Sequence, residues 1–168
     1  MDRSIWDTET GVQVQTLKGH SRGIACLQFQ GDTIVTGSSD QTLKKWSISE
    51  GVCKITLEGH QELVRCVRFN DTHIVSGSYD KTVRIWDFHT GASLRVLEGH
   101  QNRVFRVQFD KFKIVSSSQD DQIKIWDFYD PGENKSTGWA QMAGALEYGG
   151  GEAMEEDDGA SAPEDAHA

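Results

Sequence analysis

Histidine, serine or threonine, and aspartate recur in this chain at one fixed spacing, and together they could perform the chemistry of a hydrolytic triad. His100, Ser116 and Asp120 form one such set, and equivalent sets begin at His20 and His60. In a triad the histidine activates the serine as a nucleophile. A catalytic site occurs once, whereas this set occurs three times and has no Gly-x-Ser-x-Gly elbow. We therefore predict that the protein is not an enzyme; a hydrolase, the alternative, would lose turnover in Ser116→Ala.

Arginines form the second set of side chains with possible chemistry. Arg22, Arg65 and Arg103 each lie within a few residues of a preceding Gly-His pair. A guanidinium group offers paired donors that match the oxygens of phosphate or carboxylate. The alternative is that these side chains are solvated, with their stems lying along apolar surface. The sequence is thus compatible with anion binding, provided that the fold brings the arginines together.

The cysteines do not form a metal-binding pattern. Cys26, Cys53 and Cys66 lie in apolar, strand-like runs and form no Cys-x-x-Cys pair with histidine partners. Such a pattern indicates reduced structural thiols. We therefore expect neither a metal nor a cofactor.

The formal net charge of −9 is unevenly distributed, because residues 131–168 carry nine acidic side chains and one lysine. Nucleic acid and anionic membranes require clustered Lys and Arg, so neither is expected as a partner. No apolar run reaches the ~20 residues of a membrane span, and no signal-peptide core follows Met1. The chain is expected to be cytoplasmic or nuclear, and the acidic, Gly-rich segment 131–168 to be disordered.

A repeat with a step of 40 residues organises the rest of the sequence. Four kinds of marker keep this step: the pairs Gly19-His20, Gly59-His60 and Gly99-His100; the acids Asp40, Asp80 and Asp120; the tryptophans Trp6, Trp46, Trp86 and Trp126; and the glycines Gly11, Gly51 and Gly91. We place the repeats at 12–47, 52–87 and 92–127, within a folded region 1–130 that opens with a remnant strand at 2–7.

Each repeat has the pattern of β structure. The first strands, predicted at 24–29, 64–69 and 104–109, are apolar on both parities, which is typical of strands buried on both faces. Second strands are predicted at 33–38, 73–78 and 113–118, and third strands at 42–47, 82–87 and 122–127. A fourth strand follows Gly11, Gly51 or Gly91, because glycine adopts the positive φ of a short hairpin turn. Such four-stranded antiparallel sheets stack radially, so we predict an all-β, partial propeller of about three blades.

The order Gly-His, Asp and Trp-Asp in each unit resembles the WD repeat. In that family a His, a Ser or Thr, the turn Asp and the Trp form a hydrogen-bonded tetrad that locks each blade. The resemblance implies three tetrads: His20, Thr36, Asp40 and Trp46; His60, Ser76, Asp80 and Trp86; and His100, Ser116, Asp120 and Trp126.

The runs 19–29, 57–69 and 103–110, and the segments 114–121 and 125–128, more specifically resemble the last blades of β-transducin-repeat-containing F-box proteins. Those proteins are substrate receptors of cullin–RING ubiquitin ligases and bind a doubly phosphorylated Asp-Ser-Gly degron on the narrow face of the propeller. The resemblance implies phosphorylated protein substrates as partners. It also implies a phosphopeptide site made of Arg22, Gly23, Ala25, Ser39, Leu63, Arg65, Tyr79 and Arg103.

Strand geometry gives this site independent support. Leu63 and Arg65 lie three and five residues after His60, and Gly23 and Ala25 lie at the same two offsets after His20. Residues two apart on a strand face the same way, so we expect these side chains to line one rim of the central channel. The small Gly23 and Ala25 would let a peptide backbone approach.

The chain also departs from that family. Three blades do not close a ring, no F-box precedes them, and the last unit lacks a fourth strand. We therefore expect a fragment or truncated form of a longer receptor, which would contact other ligase subunits only if an F-box were supplied upstream. The alternative is a WD-repeat scaffold unrelated to ubiquitin that assembles complexes or completes its ring by oligomerising.

Overall fold

The computed structural model describes residues 3–128, and every regular element in that range is a β-strand. The strands are β1 (Arg3–Trp6), β2 (Gln13–Leu17), β3 (Ile24–Gln30), β4 (Thr33–Ser38), β5 (Leu43–Ser47), β6 (Val52–Leu57), β7 (Val64–Phe69), β8 (His73–Ser78), β9 (Val83–Asp87), β10 (Ser93–Leu97), β11 (Val104–Phe109), β12 (Lys113–Ser118) and β13 (Ile123–Asp127). No helix long and apolar enough to cross a membrane occurs among these residues.

The strands form antiparallel sheets in chain order. Strands β3–β6 form a four-stranded sheet, which we call the first blade, and β7–β10 form the second blade. Strands β11–β13 form the third blade, which has three strands within the described range, and β1 pairs with β2 alone. The predicted all-β fold of repeated antiparallel blades is therefore confirmed. The predicted tail, 131–168, lies outside the described residues.

The pair β1–β2 repeats the third and fourth strands of a blade. Arg3 lies opposite Leu17 on β2, as Leu43 lies opposite Leu57 between β5 and β6. Both pairs carry a register shift just before their tryptophan. The strand that the sequence placed at 2–7 thus corresponds to β1, which pairs with β2 as the third strand of a blade pairs with its fourth.

The core lies between blades. Val64, Val67 and Phe69 on the second blade pack against Val35 and Leu43 on the first. A second cluster joins Val75, Val83 and Ile85 of the second blade to Val104, Val107 and Ile114 of the third. The second blade lies between the other two and buries both faces of its sheet, so apolar residues occur on both parities of its strands, as the sequence pattern indicated.

Tight turns join the strands. The glycines at the predicted turns have positive φ, with values of 65° at Gly11, 69° at Gly51 and 74° at Gly91. The turn after each tetrad aspartate also has one residue at positive φ. The third strands begin one residue later than predicted, because Thr42 and Thr82 bind the preceding aspartate through their N–H and hydroxyl groups.

Two cysteines are partly buried against the clusters between the blades, and their thiols should be unreactive. Burial raises the pKa of Cys26 and of Cys66 to about 12, whereas Cys53 lies on the outer strand β6. At pH 8 the buried thiolates are scarce, and the thiolate is the nucleophile. We therefore expect iodoacetamide to label Cys53 in the folded protein and to spare Cys26 and Cys66. Peptide mapping by mass spectrometry measures the labelling of each cysteine. The control is labelling in about 6 M guanidinium, in which the protein is unfolded. Equal labelling rates in the folded protein would contradict the burial.

Candidate functional site

A hydrogen-bonded network connects four side chains in each blade. In the second blade, His60 Nδ1 lies 2.7 Å from Asp80 Oδ2 and His60 Nε2 lies 2.8 Å from Ser76 Oγ. Trp86 Nε1 donates to Ser76 Oγ at 2.9 Å. The other two blades repeat these contacts: His20–Asp40 at 2.8 Å, His20–Thr36 at 2.7 Å and Trp46–Thr36 at 2.9 Å, then His100–Asp120 at 2.9 Å, His100–Ser116 at 2.8 Å and Trp126–Ser116 at 2.9 Å.

The partners fix the tautomer of each histidine. A carboxylate only accepts, so Nδ1 of His60 carries the proton and donates to Asp80, and Nε2 accepts the hydroxyl proton of Ser76. Burial lowers the pKa of His60 and so favours the neutral ring, against the opposing effect of Asp80. Burial also raises the pKa of Asp80, but hydrogen bonds from His60, Gln61 and Thr82 outweigh it and hold that pKa well below its ordinary value. The network is therefore a neutral imidazole bound to a carboxylate.

The arrangement has the connectivity of a catalytic triad but not its accessibility. The Ser76 and Ser116 residues are 0% and 1% exposed, and each hydroxyl oxygen also accepts the indole N–H of a tryptophan. A nucleophile must reach a carbon atom of the substrate. A buried hydroxyl that is held by two hydrogen bonds cannot reach one. No group of three His, Cys, Asp or Glu side chains suited to a metal ion occurs in the described part of the chain.

A serine connects each tetrad to the loop before the first strand, and the sequence interpretation missed it. This serine is buried in the first two blades and partly buried in the third. Ser38, Ser78 and Ser118 each accept the N–H of the tetrad aspartate two residues later. Their hydroxyls donate to carbonyl groups at Gly23, Glu62 and Asn102 respectively. The 40-residue step of these serines was readable from the sequence and could have identified them.

The structure brings several predicted phosphopeptide-binding residues together in pairs. Ser39 N donates to Gly23 O at 2.8 Å, and Tyr79 N donates to Leu63 O at 3.0 Å. In the third blade, Gln119 N donates to Arg103 O at 2.9 Å. These bonds occupy the same place in successive blades, where the first strand begins and the second ends. We call this end of the three blades the rim.

The physical reason for this placement differs from the strand alternation used above. Gly23, Leu63 and Arg103 precede strands β3, β7 and β11, so they are not strand residues. The residues two positions later sit at register shifts: Ala25 between Ile24 and Cys26, and Arg65 between Val64 and Cys66. A β-bulge redirects the side chain at the extra residue. The rim is thus shaped by a bulge at the same position in each blade.

The third blade shares a cluster with the second at the rim. The Arg103 guanidinium carbon lies 4.7 Å from the centre of the Tyr79 ring. Phe105, at the bulge of β11, meets that ring edge to face with centroids 6.2 Å apart. A guanidinium stacked on an aromatic ring keeps its in-plane N–H donors available. Arg103 is therefore oriented by Tyr79 rather than by an acid.

The remaining predicted arginines lie exposed on the first and second blades. Arg22 stands just before β3, where its carbonyl group accepts a bond from Ser38 Oγ at 3.3 Å, and Arg65 stands on the bulge of β7. Within residues 3–128, no carboxylate pairs with Arg22, Arg65 or Arg103. The three arginines lie at the same rim, but within residues 3–128 their side chains are not in contact with one another.

A groove of about 350 Å³ continues from Arg65 along the first strands of the blades. Its lining includes Arg65, Arg68, Phe105 and Arg106. The lining contains three arginines and no acidic residue. The groove therefore presents positive charge to a ligand.

The antiparallel blades repeat along the chain, and each is locked by the same network of His, Ser or Thr, Asp and Trp. These features define a repeat-built β-propeller protein. The family described as "WD domain, G-beta repeat" matches residues 11–47, 51–87 and 91–127. The chain therefore belongs to the WD-repeat family.

Relatives of several kinds resemble parts of the chain. It is 42% identical over 45 residues to the "DENN domain and WD repeat-containing protein SCD1" of Arabidopsis thaliana, covering 27% of this chain and 4% of that protein. It is 52% identical over 33 residues to the "Probable E3 ubiquitin ligase complex SCF subunit sconB" of Neosartorya fischeri, covering 20% of this chain and 5% of that protein. The matches thus span only a small part of each relative's length.

A solved structure resembles most of the fold. The "computationally designed Ika4 protein" aligns with a TM-score of 0.71 and 35% identity, over 76% of this chain and 80% of that one. The likeness therefore covers the repeated blades as a group.

Proposed function

We propose that the chain is a protein-binding module that recognises a doubly phosphorylated Asp-Ser-Gly peptide and acts as the substrate-recognition portion of an F-box/WD-repeat ubiquitin ligase receptor. The observation that carries the proposal is the rim, where Arg22, Arg65 and Arg103 have no carboxylate partner within residues 3–128. Guanidinium groups held near a surface without counter-charges are suited to bind a phosphate dianion. The likeness to an SCF ubiquitin ligase subunit supports the link to ubiquitin.

The neighbouring residues suit a peptide. Tyr79 lies against Arg103 and its N–H donates to the Leu63 carbonyl, so both residues offer apolar surface at the rim. The peptide backbone has room next to Gly23, where an added Cβ would meet nothing within 4 Å. The proposal is binding without catalysis, which the burial of the Ser116 hydroxyl supports.

A fluorescent peptide carrying Asp-pSer-Gly and a second phosphoserine tests the proposal against its unphosphorylated twin at one fixed salt concentration. We expect phosphate-dependent binding that weakens at least ~10-fold in Arg65→Ala, because a hydrogen bond to a charged group contributes about 1.5–3 kcal/mol. Fluorescence anisotropy measures the affinity.

The matched control is Arg95→Ala, which removes an arginine from the outer strand β10, where its guanidinium lies 5.9 Å from the Phe128 ring. This variant should bind as the parent does. Equal affinity for both peptides, or equal losses in the two variants, would reject phosphopeptide recognition.

The second candidate function is a WD-repeat scaffold for complex assembly unrelated to ubiquitin. The similarity to a DENN domain protein, which is a relative of another kind, favours it. A partner that binds equally well after phosphatase treatment, and in Arg65→Ala, would support the scaffold.

A further inference from the structure

The third blade has an open face and an open edge. Ile123 and Ile125 on β13 are 72% and 64% exposed, whereas the equivalent Val83 and Ile85 of the second blade are 0% and 1% exposed. In the described range, β13 pairs only with β12. Backbone groups on a free strand edge are a ready site for pairing with another strand.

The other end of the array has the complementary face. Leu27 and Phe29 on β3 are 46% and 69% exposed, whereas the equivalent Val67 and Phe69 are buried against the first blade at 1% and 5%. The face that covers Val67 and Phe69 consists of Val35 and Leu43. The 40-residue step makes Val115 and Ile123 the equivalents of that pair, so each end carries one half of the interface that joins the blades internally.

Strand β2 can serve as the missing fourth strand of the third blade. It pairs with β1 in the register in which β6 pairs with β5, so Thr16 lies opposite Ser4 as Thr56 lies opposite Lys44. The segments 3–7 and 123–127 both end in Ile, Trp and Asp, so β13 offers the same partner sequence as β1. In that register Thr16 of a second copy faces Lys124, which repeats the bond from Lys44 Nζ to Thr56 Oγ1 at 2.8 Å.

Strand β2 also holds the position of a fourth strand relative to the first blade. Leu17 is 3% exposed, like its equivalent Leu57 at 1%. The Gln15 side chain lies against Gly51 as the Ile55 side chain lies against Gly91. With its amide oriented to satisfy both partners, Gln15 bonds the Ile48 carbonyl at 3.1 Å and the Gly51 N–H at 3.2 Å. A β2 strand docked on β13 therefore brings its own first blade beside the third blade of the other copy.

We propose that two copies of this chain assemble head to tail, with β2 of each copy completing the third blade of the other. Strand β2 now pairs with β1 in a two-stranded sheet, and such sheets are marginally stable by themselves. In the assembly, β2 would instead pair with β13 at the edge of the three-stranded third blade. The described residues of each copy then account for three complete blades. Two copies give six, within the four to eight blades with which propellers close, and a head-to-tail contact that closes leaves no open face.

Light scattering coupled to size exclusion, with the full 168-residue chain, tests the stoichiometry. We expect twice the chain mass of 18.7 kDa. Ile125→Asp should give the single-chain mass, because it places a charge in the new interface at a side chain that is exposed in one copy. Leu94→Asp is the matched control, since Leu94 is exposed on the outer strand β10, and it should keep the double mass. A single-chain mass for the parent protein at micromolar concentration overturns the proposal, as do three-chain or open-ended assemblies.

A disulfide cross-link tests the strand pairing itself. Thr16→Cys with Lys124→Cys, in a Cys53→Ser background, places two cysteines opposite each other only across the exchanged strands, and opposed strand residues lie within disulfide reach. Oxidation should link two chains on a non-reducing gel, and each single variant should link far less. Circular dichroism confirms that the variants are folded. A double mass without the cross-link means that another surface holds the copies together, which refutes the strand exchange.

Discussion

Replacing Asp80 by alanine should lower the free energy of unfolding by about 1–3 kcal/mol, the range for leaving a buried hydrogen-bond donor without its partner. The two carboxylate oxygens accept bonds from His60 Nδ1, Gln61 N, Thr82 N and Thr82 Oγ1. Removing these oxygens leaves the Nδ1–H group of His60 without its acceptor, and this histidine is only 3% exposed. Urea denaturation, with the slope of the transition checked for constancy, measures the loss.

A matched aspartate in the same blade serves as the control. Asp87 also accepts N–H bonds in a turn, from His89 and Thr90, but those groups are exposed. Asp87→Ala should therefore cost much less than Asp80→Ala, because water can replace the carboxylate. If both variants lose the same stability, the tetrad contributes no more than an exposed turn.

The effect of Asp80 should also depend on pH. Hydrogen bonds hold its pKa in the folded state below the ordinary value, so the unfolded chain binds the proton more readily and stability rises with pH. The stabilisation should be complete above about pH 4, the ordinary range of an aspartate, and should decline as the pH falls further. The difference between the parent protein and Asp80→Ala should shrink over that acidic interval.

The repeat made the architecture predictable, because each 40-residue unit carries its own strand pattern and turn residues. The glycines at the turns indicated the start of each fourth strand, and the markers identified the four side chains that meet in each blade. The sequence is less informative where residues of different units meet. The stacking of Arg103 on Tyr79 joins two units across their interface, and no spacing within one unit encodes it.

The first blade illustrates the same limit. Lys45 and Ser47 depart from the repeat, because the other units have isoleucine and aspartate at these positions, and the departures predict that the first blade is the least stable of the three. The structure gives both residues partners. Lys45 Nζ donates to Phe88 O at 2.8 Å and lies 3.5 Å from the centre of its ring, and Ser47 Oγ donates to Asp32 Oδ2 at 2.7 Å. Asp32 in turn accepts the N–H of Ser49, so a carboxylate from another loop replaces the missing one. Such an exchange is visible only in three dimensions.

Adding one methyl group at Gly77 should lower the free energy of unfolding by about 1–3 kcal/mol, the usual cost of overpacking a core. A Cβ there would lie 2.6 Å from Val104 Cγ1 in the next blade and 2.7 Å from Cys66 Sγ. Both neighbours are packed between blades, so Gly77→Ala must push the second and third blades apart. Thermal unfolding and urea denaturation measure the loss.

Gly23→Ala is the matched substitution in open space, because a Cβ at Gly23 meets nothing within 4 Å. Gly23→Ala should leave the free energy of unfolding unchanged or raise it by up to ~1 kcal/mol, because alanine reduces the conformational freedom of the unfolded chain. The double variant Gly77→Ala with Val104→Ala should lose less than the sum of its single variants, since the smaller residue at 104 gives the new methyl group room. Additive losses would mean that the cost at Gly77 arises within its own strand. The close approach of the two blades would then not explain the glycine.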